Sequence, residues 1–435
     1  MLYLFNETQH TAMAPFNLWA KTVQTLITNP YNPLAYSPYG RTLAAGCELM
    51  ERVTRRYIKR DFAIPPLTMG SRKVPVVEEV ALRKPFCNLV HFRVDIDRKV
   101  PALLLLAPLS GNHATLLRDT VKVFLPECDV YISDWIDARM APNSVGPLHL
   151  DDYVGYVQDF IDYLGEDVHV IAVSQASIPL LAAVALMATN NEPTPCSMTL
   201  IAGPIDTRIS PTLVNQMAMQ HSISWFRNNL IDIVPAGYPG EGRHVYPGFL
   251  QLAGALSVDL PDHADAYRDL LNNIICANTA SAEAHRDFYD EYHTVMDVPA
   301  DYFLETIKAV FHEHALAKGN MRVNGQLVNA GAIRHTALMT VEGSEDVICG
   351  VGQTMAAHNL CCNIPTSKRE HYLAFGVTHH GLFDGELFRE HVAPRISAFI
   401  HRHDKIDKQS GLSLTTTHRS ATDHKPPSRG SRTAH

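Results

Sequence analysis

A serine lies where a buried strand is predicted to turn directly into an apolar helix. The run is Val170-Ile171-Ala172-Val173-Ser174-Gln175-Ala176-Ser177. Such a turn strains its first residue and holds the side chain above the sheet, which suits a nucleophile. The strand and the helix nearly collide there, so the residues two before and two after the serine must be small. Ala172 and Ala176 are small, although they allow a less close approach than the glycines of a G-x-S-x-G motif. We predict Ser174 as a nucleophile and the N–H of Gln175 as an oxyanion donor; the alternative is an ordinary serine turn.

An acid and a base follow Ser174 in the order that such a site requires. A serine nucleophile needs a histidine base, which a carboxylate orients, and in folds with this turn the chain order is Ser, Asp or Glu, His. Asp346 follows a predicted strand that ends at Val341, and His379 follows one that ends near Phe375. Active groups gather at the carboxyl edge of parallel sheets. The pattern predicts a catalytic triad of Ser174, Asp346 and His379.

Two members of this triad have competitors. Asp206, in Gly203-Pro204-Ile205-Asp206, also follows a strand and could be the acid, although we favour Asp346. His380 adjoins His379, and spacing does not distinguish between them. The chain has 23 histidines, so a lone histidine carries little weight.

A second oxyanion donor is expected from the loop after the first central strand. That loop is Pro108-Leu109-Ser110-Gly111-Asn112-His113, in which Leu109 or Ser110 would offer the N–H; a plain strand-to-helix turn is the equal alternative. The sequence has no H-E-x-x-H motif and no Cys/His cluster. We therefore expect neither a metal nor a cofactor.

Strands and helices alternate through most of the chain. The predicted strands are residues 100–107, 130–133, 168–173, 198–202, 337–341 and 371–375, and the predicted helices between and after them are 151–164, 178–187 and 385–401. Near-continuous apolar runs such as 100–107 are typical of strands covered on both faces. The expected fold class is α/β, with a mostly parallel sheet and helices on both of its faces.

The alternation of strands and helices is absent at both ends of the chain and in one internal segment. We predict an N-terminal helical extension over 1–83, a core formed by 84–206 and 331–403, and a mainly helical lid inserted at 207–330. The lid segment is rich in aromatic residues, most of which an ordinary core would explain. Residues 404–435 contain few apolar side chains, so we predict a disordered tail.

Composition excludes several classes of protein. The 435 residues are 46% hydrophobic and 19% charged, with a net charge of −8, so the basic footprint of a nucleic-acid binder is missing. No run is apolar for the ~20 residues of a membrane span, and the N-terminus lacks the features of a signal peptide. Eight scattered cysteines form no C-x-x-C pair and are expected to be reduced thiols of a cytoplasmic protein.

Several segments together resemble one protein family, the intracellular polyhydroxyalkanoate (polyhydroxybutyrate) depolymerases. They are Ala107–Thr120, Ser133–Met140, Val245–Gln251, Met1-Leu2-Tyr3 and Lys84-Pro85-Phe86-Cys87. The resemblance runs in order over roughly residues 1–400. It implies an α/β-hydrolase fold that cleaves stored poly-3-hydroxybutyrate in the bacterial cytoplasm, at the surface of the storage granule.

The resemblance also implies the roles of three residues. It carries the nucleophile to Ser174, the acid to Asp346 and, through Gly381-Leu382-Phe383, the base to His379. The family has cysteine at the nucleophile, in a Val-Cys-Gln-Ala setting, where this chain has Ser174. Serine depends fully on its base for activation, whereas a cysteine is partly ionised at neutral pH.

The resulting hypothesis is an ester hydrolase that forms an acyl-enzyme on Ser174. Water is the expected acceptor of the acyl group, with a thiol such as coenzyme A as the alternative. Two rival functions are a polyhydroxyalkanoate synthase-like acyltransferase and a non-catalytic granule-binding protein. Low charge leaves room for exposed apolar surface, and the aromatics between Trp225 and Phe249 and the helix near Trp19 could contact a water-insoluble polyester.

Overall fold

The computed structural model describes residues 2–258 and 260–405. The predicted disordered tail, 404–435, lies outside the described residues apart from its first two positions. Asp404 is buried, and one of its carboxylate oxygens lies 3.8 Å from Nε2 of His169. Asp404, the first residue of the predicted tail, thus packs against the core.

The described helices and strands have the following bounds. The strands are β1 (Leu67–Met69), β2 (Arg72–Val74), β3 (Val76–Arg83), β4 (Cys87–Val94), β5 (Ala102–Leu106), β6 (Asp129–Trp135), β7 (His169–Val173), β8 (Ser197–Ile201), β9 (Asp232–Ile233), β10 (His244–Tyr246), β11 (Val298–Pro299), β12 (Arg322–Val323), β13 (Gln326–Leu327), β14 (Ala337–Gly343) and β15 (Arg369–Ala374). The helices are α1 (Leu2–Ile27), α2 (Pro38–Thr54), α3 (Arg118–Phe124), α4 (Leu150–Leu164), α5 (Ser177–Thr189), α6 (Leu213–Gln220), α7 (Ile223–Leu230), α8 (Gly248–Val258), α9 (Leu260–Ile275), α10 (Thr279–Tyr292), α11 (Ala300–Thr306), α12 (Ala357–Leu360), α13 (Gly385–Leu387) and α14 (Ala393–His403).

Eight of these strands form one sheet in the order β15-β14-β8-β7-β5-β6-β4-β3. All neighbouring pairs from β15 to β6 are parallel, and β4 runs antiparallel to both of its neighbours. This order, with one reversed strand near the edge, is that of the α/β-hydrolase fold. The predicted fold class is confirmed.

The central strands and helices form because their apolar residues match their surroundings. Every residue of β7 and β8 is buried, as expected for strands with helices on both faces. Helix α4 buries one stripe that includes Tyr153, Val157 and Phe160, and its opposite side is exposed. The next helix, α5, is buried almost all round because it packs at the centre of the molecule.

The predicted boundary at residue 83 is wrong. Strand β3 is the outermost strand of the main sheet, and the β1–β2 hairpin precedes it, so the N-terminal extension is helical only over α1 and α2. An edge strand exposes much of its surface, and Glu78, Glu79 and Val80 all lie in solvent. Its apolar signal is therefore too weak to identify it as part of the core.

The insertion between β8 and β14 is mainly helical, as predicted. It contains α6 to α11, a small sheet in the order β11-β10-β9 and the β12–β13 hairpin. None of the helices within 2–258 and 260–405 is long and apolar enough to cross a membrane.

Candidate active site

Ser174 stands at a strained turn between strand and helix. Its φ of +53° is left-handed, which costs a residue other than glycine on the order of 1–3 kcal/mol. A short 3₁₀ turn over Ser174–Ala176 leads directly into α5. Ala172 and Ala176 are fully buried, which explains why both must be small. The sequence prediction of a sharp strand-to-helix turn is thus matched by the backbone.

Gly203 is a further requirement of this turn that the sequence analysis missed. A Cβ at this position would lie 2.4 Å from the side chain of Ser177 and 3.6 Å from the carbonyl oxygen of Ser174. The end of β8 therefore approaches the serine turn too closely for any other residue. The signal was present in Ala202-Gly203-Pro204, directly after a strand.

The strand register brings the candidate residues to one edge of the sheet. Val173 of β7 pairs with Ile201 of β8, which in turn pairs with Val341 of β14. Gly343 of β14 pairs with Ala374 of β15. The four strands consequently end within two residues of the same level, and the segments that follow three of them carry Ser174, Asp346 and His379.

Asp346 and His379 form a buried hydrogen-bonded pair. Nδ1 of His379 lies 2.7 Å from Oδ2 of Asp346, and both side chains are almost fully buried. The other carboxylate oxygen accepts hydrogen bonds of 2.8 Å from the N–H groups of Ile348 and Cys349. This arrangement fixes the aspartate and leaves Nε2 of the imidazole as the nitrogen that can accept a proton.

Neither of the competing residues takes part in this pair. Asp206 instead binds Arg208 through both carboxylate oxygens, at 2.8 and 2.7 Å, and the Arg208 guanidinium lowers the pKa of Asp206. His380 lies among the rings of Phe288 and Tyr292. Burial lowers the pKa of His380 to about 3, so it is neutral at ordinary pH.

A buried glutamate holds the loop that carries the acid. Oε1 of Glu342 accepts hydrogen bonds from the N–H groups of Thr354 and Met355, at 2.7 and 2.9 Å, and Oε2 accepts one from Gly352 at 2.9 Å. Hydrogen bonds to an ionised acceptor are stronger than neutral ones. Glu342 thus closes the loop around Asp346, a role that the sequence analysis missed because a glutamate at a strand end carries no distinctive spacing.

The first turn of the candidate oxyanion loop is fixed by its anchor, Ala107. The carbonyl of Ala107 accepts hydrogen bonds from Nε1 of Trp135 and the hydroxyl of Tyr153, both at 2.9 Å. Its N–H donates to Oγ of Ser133 at 2.9 Å. The side chain of Leu109 is buried and Ser110 is exposed, so the two candidate donors follow a rigid strand end.

The far end of this loop is tied to the insertion. The carbonyl of Gly111 accepts a hydrogen bond of 2.7 Å from the N–H of Met296, and Asn112 forms a β-bridge with Val295. Gly111 has a φ of +113°, and a Cβ there would lie 2.3 Å from the side chain of Gln251. The other candidate donor, Gln175, follows β7, the strand next to β5. It lies in the short turn that leads into α5, at a helix start, where backbone N–H groups lack partners within the helix.

No group of three His, Cys, Asp or Glu side chains among the described residues could hold a metal ion. Instead, aromatic rings border the histidine end of the site. Phe288 and Tyr292 of α10 pack against His380, and Phe383 packs against His379 with ring centroids 5.8 Å apart. The aromatic rings of this wall carry no charge.

The strand order and the strained serine turn define the chain as an α/β-hydrolase. Residues 202–404 match the family model described as "PHB de-polymerase C-terminus", PHB being polyhydroxybutyrate. The predicted resemblance to this depolymerase family is confirmed over that range. The match supports an ester hydrolase.

Among solved structures, the chain is similar to several lipases and esterases. A monoacylglycerol lipase from Paleococcus ferrophilus is 11% identical, with 72% of this chain and 99% of the lipase covered and a TM-score of 0.44. The naproxen esterase of Bacillus subtilis is 13% identical, with 75% and 92% covered and a TM-score of 0.39. Carboxyl esterase 2 from Tuber melanosporum is 11% identical, with 78% and 89% covered and a TM-score of 0.39. No curated protein matches the sequence.

Proposed function

We propose that this protein hydrolyses the ester bonds of poly-3-hydroxybutyrate or a related polyhydroxyalkanoate, with Ser174 as nucleophile, His379 as base and Asp346 as the group that orients the base. One observation carries the proposal: the buried hydrogen bond of 2.7 Å between His379 and Asp346 at the sheet edge where Ser174 turns. The match of residues 202–404 to the depolymerase family supports the choice of polyester as substrate.

The reaction begins with attack by Oγ of Ser174 on the ester carbonyl carbon. Nε2 of His379 takes the hydroxyl proton, while Asp346 remains ionised and stabilises the imidazolium. The backbone N–H groups of Gln175 and of Leu109 or Ser110 hold the oxyanion of the tetrahedral intermediate.

Collapse of this intermediate expels the hydroxyl end of the polymer, which takes the proton from His379. The 3-hydroxyacyl group remains as an ester on Ser174. A water molecule then attacks the acyl-enzyme with His379 again as base, so the second half mirrors the first. The products are a chain end with a free hydroxyl and a 3-hydroxy acid or its oligomer.

The test is release of 3-hydroxybutyrate from amorphous polymer by the wild type and by two alanine variants. Ser174→Ala should abolish release, whereas Ser177→Ala, three residues further along the same turn, should retain it. Covalent labelling by a serine-reactive phosphonate should occur in the wild type and be lost only in Ser174→Ala. Full activity of Ser174→Ala would refute the mechanism.

The two rival functions give different results in the same experiments. An acyltransferase would elongate polymer from acyl-coenzyme A in the absence of hydrolysis. A non-catalytic binding protein would retain polymer without phosphonate labelling of Ser174. Adding coenzyme A to the hydrolysis assay decides the acceptor, because thiolysis would yield a 3-hydroxyacyl thioester instead of the free acid.

A further inference from the structure

Helices α1 and α2 expose an unusual amount of apolar surface. They form an antiparallel hairpin, in which Asn17 bonds to Glu51 near one end and Gln24 to Glu48 further along. Large apolar side chains with at least half of their surface in solvent are found on both helices and their connection: Leu4, Phe5, Phe16, Leu18, Trp19, Leu26, Tyr31, Tyr36, Tyr39 and Val53. Contiguous exposed apolar patches of this kind mark interaction sites in soluble proteins.

Four of the six large apolar residues that α1 exposes lie on one stripe, and Leu4 and Leu18 lie to one side of it. At 3.6 residues per turn, Phe5, Phe16, Trp19 and Leu26 fall within a sector of about 80°. The helix carries two charged residues, Glu7 and Lys21, and both lie outside that sector. The stripe is therefore uncharged along the 26 residues of α1, a length of about 39 Å.

The second helix continues this uncharged surface. Trp19 of α1 lines a shallow apolar groove together with Tyr39, Leu43, Gly46 and Met50 of α2. The α2 residues recur every three or four positions, so they share one side of the helix.

Two of the four charged residues of α2 point in the opposite direction, into the protein. Glu48 and Arg52 are each only 6% exposed. Glu48 accepts hydrogen bonds of 2.6 and 2.8 Å from Arg286 of α10, and Arg52 donates to Asp290 of α10 at 2.8 Å. The hairpin thus fixes its charged side against the insertion and leaves its apolar side outward, the reverse of an ordinary surface helix.

The start of the hairpin is tied to the insertion beside the candidate active site. The hydroxyl of Tyr3 donates to the buried carboxyl of Asp297, and the ring of Tyr3 packs on Phe249. Asp297 directly follows Met296, whose N–H binds Gly111 in the candidate oxyanion loop. The apolar surface is therefore connected through a few residues to the candidate oxyanion loop.

From this arrangement we infer that the outer face of the α1–α2 hairpin docks the protein onto an uncharged, water-insoluble polyester. The inference rests on the proposed function, which supplies a polymer that has ester groups and no charges. An uncharged stripe complements such a surface, because no charged group has to lose its hydration on contact. The partly buried ion pairs with α10 hold α2 in place when the polymer is bound.

The experiment measures binding to amorphous poly-3-hydroxybutyrate particles by cosedimentation, in a Ser174→Ala background so that hydrolysis does not intervene. The test variant combines Phe16→Ser with Trp19→Ser. The matched control combines Tyr163→Ser with Leu327→Ser, two exposed apolar residues on other elements. We expect particle affinity to fall at least about tenfold in the test variant, because two large apolar contacts are lost, and to be unchanged in the control.

Two further measurements distinguish a loss of docking from a folding defect or a loss of charge attraction. With Ser174 intact, the test variant should hydrolyse a soluble p-nitrophenyl ester at the wild-type rate; a parallel loss on the soluble ester would overturn the inference. Wild-type binding should persist in 0.5 M NaCl, because salt screens charges and leaves apolar contact intact. Release of the protein by salt would also overturn it.

Other occupants of the surface would give distinct outcomes, each contrary to the inference. Equal binding to phosphatidylcholine vesicles would indicate a lipid surface. A wild-type dimer that the test variant converts to a monomer would indicate self-association. Retention of the wild type on particles without release of 3-hydroxybutyrate would instead refute the proposed function and leave docking supported.

Discussion

At Ser174 the backbone conformation, more than any single contact, makes the hydroxyl a candidate nucleophile. The left-handed φ, the buried alanines on either side and the close approach of Gly203 together leave little freedom in this turn. Such strain is retained only where the surrounding structure enforces it. Replacing the hydroxyl by another nucleophile of similar size should therefore preserve the geometry.

The first prediction concerns this replacement. We expect Ser174→Cys to retain polymer hydrolysis well above the Ser174→Ala level, because the thiol occupies the same strained position beside the same base. Ser174→Ala should lose at least about 10³-fold in kcat. The measurement is release of 3-hydroxybutyrate with and without iodoacetamide, which should inactivate the Cys variant. The wild type serves as control, and inactivation of both proteins alike would count against the prediction.

The second prediction separates the two adjacent histidines. We expect His380→Phe to keep kcat within about threefold of the wild type, since a neutral ring already occupies that space between Phe288 and Tyr292. His379→Phe should abolish activity because it removes the proton acceptor. The pH–rate profile of His380→Phe should keep the acidic limb of the wild-type profile. Loss of that limb would show that His380, rather than His379, titrates during catalysis.

The candidate site residues that could be predicted from the sequence are those with a distinctive order along the chain. Ser174, Asp346 and His379 were predicted because each follows a strand and because their chain order is characteristic. Gly203 and Glu342 were missed, since their roles depend on contacts between loops of different strands, and such contacts leave no local spacing in the sequence.

At the scale of elements, central strands can be predicted from their own residues, whereas the edge strand cannot. Strand β7 is buried on both faces and is apolar from Val170 to Val173, so it was predicted from its residues alone. Strand β3 exposes half of its positions and was missed. Its position depends on pairing with β4, which only the folded chain reveals.

The third prediction concerns the loop after β14. Replacing Glu342 by Gln places an NH₂ group against at least one of the three backbone N–H donors, leaving a buried donor without an acceptor at a cost of about 1–3 kcal/mol. We expect Glu342→Gln to lower the free energy of unfolding by this amount and to reduce kcat, because Asp346 is less firmly held. Urea denaturation and kcat on a soluble ester measure the two effects. The exposed neighbour Glu345 offers the matched control, and equal stability of Glu342→Gln and Glu345→Gln would refute the prediction.

At the scale of the whole molecule, the hairpin, the insertion and the core meet around one buried carboxyl group. Asp297 accepts a hydrogen bond from the N–H of Gly248 at 2.9 Å and from the hydroxyl of Tyr3. The Nε of Arg139 is 3.7 Å from the same carboxyl. The side chain is only 1% exposed, and burial raises its pKa from 3.8 to about 7. Protonation of this group is thus coupled to the packing of α1 on the insertion.

The last prediction is the pH dependence that follows from this coupling. Because the folded pKa lies above the unfolded one, the folded state binds the proton more tightly. The resulting stabilisation is fully present below about pH 4 and is lost as the pH rises through 7. The variant Asp297→Asn cannot ionise, so we expect it to lack this pH-dependent part of the stability. The Tm of the variant should therefore fall less than the wild-type Tm between pH 5 and pH 8. Thermal denaturation across this range measures the difference, with the exposed Asp301→Asn as control. Parallel curves for the wild type and Asp297→Asn would mean that Asp297 does not titrate in this range, and that the attachment of the hairpin is independent of pH.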